Sequence, residues 1–388
     1  MKSKYEISII GGGIFGLSCA YHLAKSGISD IAIFDKNYIG SGASGRNASV
    51  IGLPWKTKEV IELSNIESIK FWKNISSDTN MNVLFENRGY IHLIYDDFDL
   101  EHQIDVIKNQ TAYGIKIKLI YPKEVKKLIP DINTKKLFAA TYLPLGGTAR
   151  HDALVWGLAN ACKNMGVDIF SFTEVKNILV ENKTVKSVVT DKQTFSTDTI
   201  VNAAHTSSDS ISKMVGINLP VTTLMQEVLV TEPLKPFLDQ MILSSAPELW
   251  CHQTSRGEFL AGSAINKQQS YSVNSTLTFL EHIGKASINL FPKLKKIKVM
   301  RQWAGLYHVS PDYSPIIGPV PEIKNFILCV PGNDNGFMNG GILGKLTAEY
   351  IISKKESSLM KFFNYSRFKE NRLVKEGYVE HSERLPTT

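Results

Sequence analysis

The sequence EISIIGGGIFGLSCAYHLAKSGISDIAIFD, close to the amino terminus, leaves the chain little conformational choice. Glu6–Ile10 is an apolar run suited to a buried strand. Gly11, Gly13 and Gly16 then follow as GxGxxG, and a helical pattern runs from Leu17 to Lys25. A second strand-like run, Asp30–Phe34, ends at Asp35, 19 residues past Gly16. Strand, glycine turn, helix and strand make a βαβ unit, and its parallel strands require helices on both faces of the sheet. Gly11 permits the tight turn, Gly13 lets a pyrophosphate approach the backbone, and Gly16 lets helix and strand pack closely. The helix start offers unpaired N–H groups and the positive end of its dipole to a diphosphate. Asp35 is placed to accept hydrogen bonds from both ribose hydroxyls and would repel a 2′-phosphate. In this context the segment reads as a dinucleotide site built from Gly11, Gly12, Gly13, Ile14, Phe15, Gly16 and Asp35.

A chain of 388 residues exceeds what one core usually supports, so two joined domains are expected. The net charge of +7 is small for this length and spread along the chain. The densest basic run, Lys293, Lys295, Lys296 and Lys298, alternates with apolar residues as a solvated face does, so no nucleic-acid partner is expected. Cys19, Cys162, Cys251 and Cys329 lie far apart without metal-binding spacing, as buried thiols of a reducing compartment do; no metal is expected. Three consecutive glycines break the apolar run 7–23, which argues against a signal peptide, and no other stretch approaches the ~20 apolar residues of a membrane span. The expectation is a cytoplasmic protein.

Further along, Gly40–Asn47 is a loop of small residues leading into a helical stretch from Glu59 to Lys73. Asp152 is positioned to cap a helix carrying Leu154, Leu158, Ala161 and Met165 on one face. Residues 221–309 are mostly strands, with one helix over Leu277–Leu290, and Asn325–Val330 is a last buried strand. A glycine-rich loop follows over Gly332–Gly344, with a helix from Ile342 to Ser353. An NAD enzyme usually continues in alternating β/α units; here a small-residue loop and a long mixed region intervene. A second glycine-rich helix start suits the flavin edge where negative charge develops on reduction, which favours FAD.

The fingerprint, together with Arg301–Gly318 (RQWAGLYHVSPDYSPIIG) and the glycine-rich carboxyl-terminal segment, resembles the FAD-dependent amino-acid oxidase superfamily. GRNAS at 45–49, NVLFENRGYIHL at 82–93, GGTARHDALVWG at 146–157, AAHTSS at 203–208 and TEPLKP at 231–236 are most similar to the β subunit of heterotetrameric sarcosine oxidase. The resemblance implies an α/β plus α+β fold: a glutathione-reductase-like, Rossmann-type FAD domain (1–82, 141–215 and 310–375) and a mostly antiparallel substrate domain (83–140 and 216–309), with a tail over 376–388. It implies hydride transfer from a carbon beside the nitrogen of a small, secondary amine or amino acid such as sarcosine or proline. The flavin then passes its electrons to oxygen or a carrier, and further subunits of a hetero-oligomer are implied. Primary D-amino acids or glycine as substrates, or a non-catalytic flavoprotein subunit, are the alternatives.

Residue by residue, the resemblance assigns Asp35 and Lys36 to the ADP half of non-covalent FAD, and Ser44, Arg46, Asn47 and Ala48 to the pyrophosphate and flavin. Val175 falls to the adenine, Ala204 to the cofactor, and Gly336, Phe337 and Met338 to the flavin. Tyr307, His308 and Arg46 are the candidate catalytic residues, and Asp334 is a candidate for shaping amine binding. His151 stands where the resembled subunit carries a covalently attached FMN. Two positions depart from that pattern: Gly52 replaces an arginine and Met338 a lysine, and both basic residues would anchor a carboxylate. Met338 instead resembles the β subunit of archaeal dye-linked L-proline dehydrogenase. The charge for a substrate carboxylate must then come from Arg46, Lys56 or Arg301.

Overall fold

The computed structural model describes residues 2–263 and 269–376. The expected tail, but for Glu376, lies outside the described residues.

Two sheets organise the chain. In the first, five strands run parallel in the order Asp168–Phe170, Ile31–Phe34, Lys4–Ile10, Thr194–Asn202 and Ile323–Val330. Antiparallel strands Val175–Glu181, Thr184–Thr190 and Ile316–Val320 border them. The opening helix Ile14–Lys25 is buried along nearly its whole length, packed against His151–Asn164 on one side and Gly336–Ser353 on the other. Burial on all sides explains why its sequence is apolar all round rather than amphipathic.

The second sheet has eight strands: Val299–Val309, Thr222–Pro233, Glu258–Ser263, Glu248–Gln253, Met241–Ser245, Tyr90–Ile94, Ala139–Leu143 and Lys118–Ile120. Every pairing is antiparallel except that between Met241–Ser245 and Tyr90–Ile94. Helix Leu277–Leu290 covers one face through Phe279, Ile283, Ala286 and Leu290, as its periodicity predicts.

Two of the elements that differ from their sequence expectation bear on the site. The carboxyl-terminal helix starts at Gly336 rather than Ile342. Glycine is a poor helix former, so local signals read this stretch as loop, but close packing on the opening helix requires glycine there. A Cβ at Gly340 would stand 2.6 Å from an Ile14 methyl, and one at Gly344 would stand 2.7 Å from both the Cys19 nitrogen and the Phe15 carbonyl oxygen. The second difference is at Asp152, which lies in the first turn of helix His151–Asn164 instead of capping it; Arg150 is the cap residue. Asp152 pairs with the Arg150 guanidinium and accepts from the Ala153 N–H, so the acid complements the dipole from inside the helix.

Behind the turn that precedes the carboxyl-terminal helix lies a fully buried ion pair. Arg367 donates to both Asp312 carboxylate oxygens at 2.8 and 2.9 Å. Ser310 Oγ donates to Asp312, and the Ser310 N–H donates to Asn333 Oδ1 at 3.0 Å. Burial alone would raise the Asp312 pKa; the arginine outweighs it and holds the carboxyl below the ordinary range. Ser310, bonded to both Asp312 and Asn333, thereby ties the SPD turn and its ion pair to Asn333–Asn335.

Candidate active site

At the start of the opening helix, Gly13 is the cap residue, with no side-chain cap and no acid in the first turn. The Ile14 N–H donates to Ser44 Oγ at 3.0 Å. A Cβ at Gly11 would stand 2.4 Å from the Ala203 carbonyl oxygen, so the turn passes directly over the neighbouring strand end. Asp35 accepts from the Gly12 N–H on one oxygen and the Asn37 N–H on the other, both at 2.8 Å. Burial raises its pKa while those two donors lower it, with a net rise. Each oxygen keeps acceptor capacity for a hydroxyl. Lys36 reaches across to Ser207 Oγ at 2.9 Å.

From this end a cleft of about 590 Å³ runs between the two sheets, within the range of cofactor sites. Its first part is lined by Gly11, Gly13, Asp35, Ser44, Val175 and Ala204. Its roof is the inner face of the second sheet. Gln226 and Val228 from one strand, with Gly305 and Tyr307 from the next, line it, and Gln226 pairs directly with Gly305. Asn333, Asp334, Gly336 and Phe337 complete the lining, with Gly336 beside the Phe15 ring.

The loop 40–48 joins the two sheets. Arg46 Nη1 donates to the Ala304 carbonyl at 3.2 Å, Trp303 Nε1 donates to the Arg46 carbonyl at 3.1 Å, and His252 Nε2 lies 2.9 Å from the Ala48 carbonyl. Asn47 closes the turn on the Ser44 carbonyl at 2.6 Å. Of the three cations considered for a carboxylate, Arg46 alone lines the cleft. Lys56 pairs with Asp105 at 3.3 Å, and Arg301 lies over the Trp303 ring.

Several sequence-predicted residues lie outside the lining. Gly16 serves packing: a Cβ there would meet the Gly11 carbonyl oxygen at 2.0 Å. His308 is buried on the opposite strand face from Tyr307, with Nδ1 3.3 Å from Ser208 Oγ and its ring against His205. Strand alternation separates the two candidates. Met338 is buried beneath Gly52, whose N–H points at its sulfur at 3.0 Å. The two departures from the resembled pattern are thus a single contact. Gly52 has φ +74°, and a Cβ there would stand 2.6 Å from Gly146 Cα, so this backbone accepts no side chain at position 52. His151 is half-buried, with Nδ1 3.1 Å from Ser49 Oγ; its ring meets edge-on that of Phe337, a cleft residue. Burial lowers its pKa despite the nearby Asp152, so the ring is neutral at pH 7.

Gln226 and His205 are among the cleft residues that the sequence alone did not mark. Gln226 sits mid-strand with no local signal. His205 follows the carboxyl end of a parallel strand, where ligands gather in open α/β sheets, and that rule singles it out once the strand order is known. Burial, aided by His308, lowers the His205 pKa to about 3. Among the described residues no cluster of three or more His, Cys, Asp or Glu is arranged for a metal ion, and no helix is long and apolar enough to cross a membrane.

The family model for FAD dependent oxidoreductases of the DAO type matches residues 6–350. The chain is 30% identical over 383 residues to the sarcosine oxidase subunit beta of Rhodobacter capsulatus, covering 97% of this chain and 91% of that one. It is 31% identical to the same subunit of Rhizobium meliloti, with the same coverage. Among solved structures, L-proline dehydrogenase from P. horikoshii superposes with a TM-score of 0.91 at 29% identity, covering 96% of this chain and all of that one.

Proposed function

The chain belongs to the DAO family of FAD-dependent oxidoreductases, and from that premise we propose that it oxidises the C–N bond of a small secondary amino acid of the sarcosine or proline type. The observation that carries this reading is the cleft, which brings together a helix start suited to a diphosphate, a sheet face and one arginine, Arg46, from the loop 40–48. The absence of side-chain caps and acids at Gly13, the lining of the cleft by Gly11 and Gly13, and the acceptor capacity left on both Asp35 oxygens all fit FAD.

Gly11–Gly16, Asp35, Ser44, Val175 and Ala204 hold its ADP half, and Asn47, Ala48, Gly336 and Phe337 border the flavin; Met338 supports that end from beneath. The segments 1–82, 141–215 and 310–375 form the FAD-binding unit, and 83–140 with 216–309 form the substrate unit. When bound, FAD accepts the hydride from the carbon beside the amine nitrogen. Arg46 orients the substrate through its carboxylate by charge-assisted hydrogen bonds. Gln226, Val228 and Tyr307 cover the site and exclude water, which strengthens every charge interaction beneath them. The nitrogen must be neutral for its lone pair to assist C–H cleavage, and the imine product hydrolyses on release. His308 supports the His205 side of the cleft from behind.

Anaerobic addition of sarcosine, other N-methyl amino acids, L-proline and D-amino acids to the FAD-loaded protein tests the reading. Bleaching of the yellow colour by a secondary amino acid is expected, and bleaching by none of them defeats it. The neutral ring of His151, beside Phe337, fits attachment of a second flavin, FMN, together with further subunits; electrons then pass to oxygen or a carrier in the cytoplasm. Acid precipitation of protein from the native source is expected to leave a yellow pellet, and a colourless one removes the covalent FMN.

A further inference from the structure

Of the three carboxylates lining the cleft, Asp35 and Glu174 stand beside Val175, and Asp334 stands near Tyr307 of the roof strand. Asp334 sits in the single turn Asn333–Asn335, immediately before the carboxyl-terminal helix. That turn is held from behind by Ser310 on Asn333 and by the Asp312–Arg367 pair, so Asp334 is carried on a rigid mount. Its carboxylate accepts from its own backbone N–H, and no lysine, arginine or histidine among the described residues pairs with it. The side chain is accessible from the cleft although protein surrounds it, and that surrounding raises its pKa to about 6.

The groups that face it are few. Tyr307 approaches from the roof strand, with Tyr313 of the SPD turn near its phenol. His205 comes from the loop after Thr194–Asn202, beside Gly332. Burial, Asp334 and Tyr313 push the Tyr307 phenol well above its ordinary range, so it donates hydrogen bonds and takes no proton. With its pKa near 3, His205 is a poor proton acceptor at neutral pH. Arg46 is a cation and accepts nothing.

We propose that Asp334 is a catalytic residue of the amine oxidation inferred above: it pairs with the substrate's ammonium group and takes the proton that must leave before the carbon–hydrogen bond breaks. The proposal rests on that functional reading. Small amino acids reach the cleft as zwitterions, with a protonated nitrogen whose lone pair is not available. The N–H bond breaks with its electron pair staying on nitrogen, and a new O–H bond forms on Asp334. The proton then leaves through the cleft mouth to solvent. A carboxylate that is ionised at neutral pH yet retains proton affinity suits this transfer. On the roof strand, Gly305 lies against the Arg46 Cβ and carbonyl, the Arg46 guanidinium reaches the adjacent Ala304 carbonyl, and Tyr307 lies within electrostatic reach of Asp334. Those two strand positions are about 6.6 Å apart, which leaves room for a small amino acid bonded at each end. The substrate class therefore narrows to zwitterions, and N-acyl amino acids, whose nitrogen carries no charge, are rejected.

The test uses the FAD-loaded protein and its D334N and D334E variants, kept anaerobic. D334N is expected to be bleached by sarcosine or L-proline roughly 100-fold or more slowly than the wild type, with D334E between them. Methoxyacetate and tetrahydrofuran-2-carboxylate, the ether counterparts of those amino acids, keep the carboxylate and lack the N–H. Followed through the flavin absorbance, they should bind D334N at least as well as the wild type. Their affinity for the wild type alone should fall as the pH rises through about 6 and Asp334 ionises. Bleaching of D334N at the wild-type rate overturns the proposal, as does loss of amines and ethers in equal proportion. Should neither amine bleach the wild type, the functional reading fails separately, and the ether ligands still decide: a pH step that persists in D334N overturns the role of Asp334.

Discussion

Two glycine-rich helix starts lie side by side at the cleft, and they are built differently. The first, at Gly13, carries no acid in its first turn and is held by its own surroundings, through Ser44 on the Ile14 N–H and Asp35 on the Gly12 N–H. The second, at Gly336, follows an aspartate and is held from behind by a buried ion pair distant in sequence. Both present a positive dipole end. The first leaves that end open to a diphosphate; the second sets a carboxylate beside it, which turns an anion site toward a cationic ligand. The same local device thus acquires opposite preferences from one neighbouring side chain.

The comparison makes the second start the more fragile one. Arg367→Ala leaves Asp312 buried without its partner and should cost about 3–5 kcal/mol, read as a drop in urea midpoint. A loss under 1 kcal/mol would mean that the mount is not held by this pair. The same pair sets an acid limit. Because Arg367 holds the folded pKa of Asp312 below its unfolded value of about 3.9, its contribution is complete above that pH and lost as the pH falls through the folded value. Arg367→Ala should flatten that part of the acid unfolding curve.

At the first start the effects should appear in cofactor affinity. Asp35→Asn removes charged acceptors and should weaken FAD binding by about 1.5–3 kcal/mol, measured by fluorescence titration of the apoprotein. Unchanged affinity would detach Asp35 from the ribose. Gly344→Ala presses a methyl group into backbone atoms of the opening helix and should destabilise both starts together by about 1–3 kcal/mol. The smallest effect belongs to Ser44→Ala, about 1 kcal/mol from one lost hydrogen bond, seen as a small fall in melting temperature.

Much of the first start was legible in the chain because every part of it is local: strand, turn, helix and acid fall within about thirty residues. The second was misread as loop. Its glycines answer to the approach of Ile14, Phe15 and Cys19, more than 300 residues away, and no local propensity reports that contact. The same holds for Gly52 and Met338, which the sequence presents as two separate losses of charge and which the fold joins in one contact.

The amino-acid sequence by itself determined the dinucleotide fingerprint and many of the strands, because short-range periodicity and spacing encode them, and its motifs carried the resemblance to the flavoenzyme family. Only the tertiary structure decided which cations reach the cleft, that Tyr307 faces it while His308 does not, and that Asp334 lines it. The physical reason is that facing depends on register between strands far apart in the chain, and a one-residue change in register turns a side chain from one face to the other.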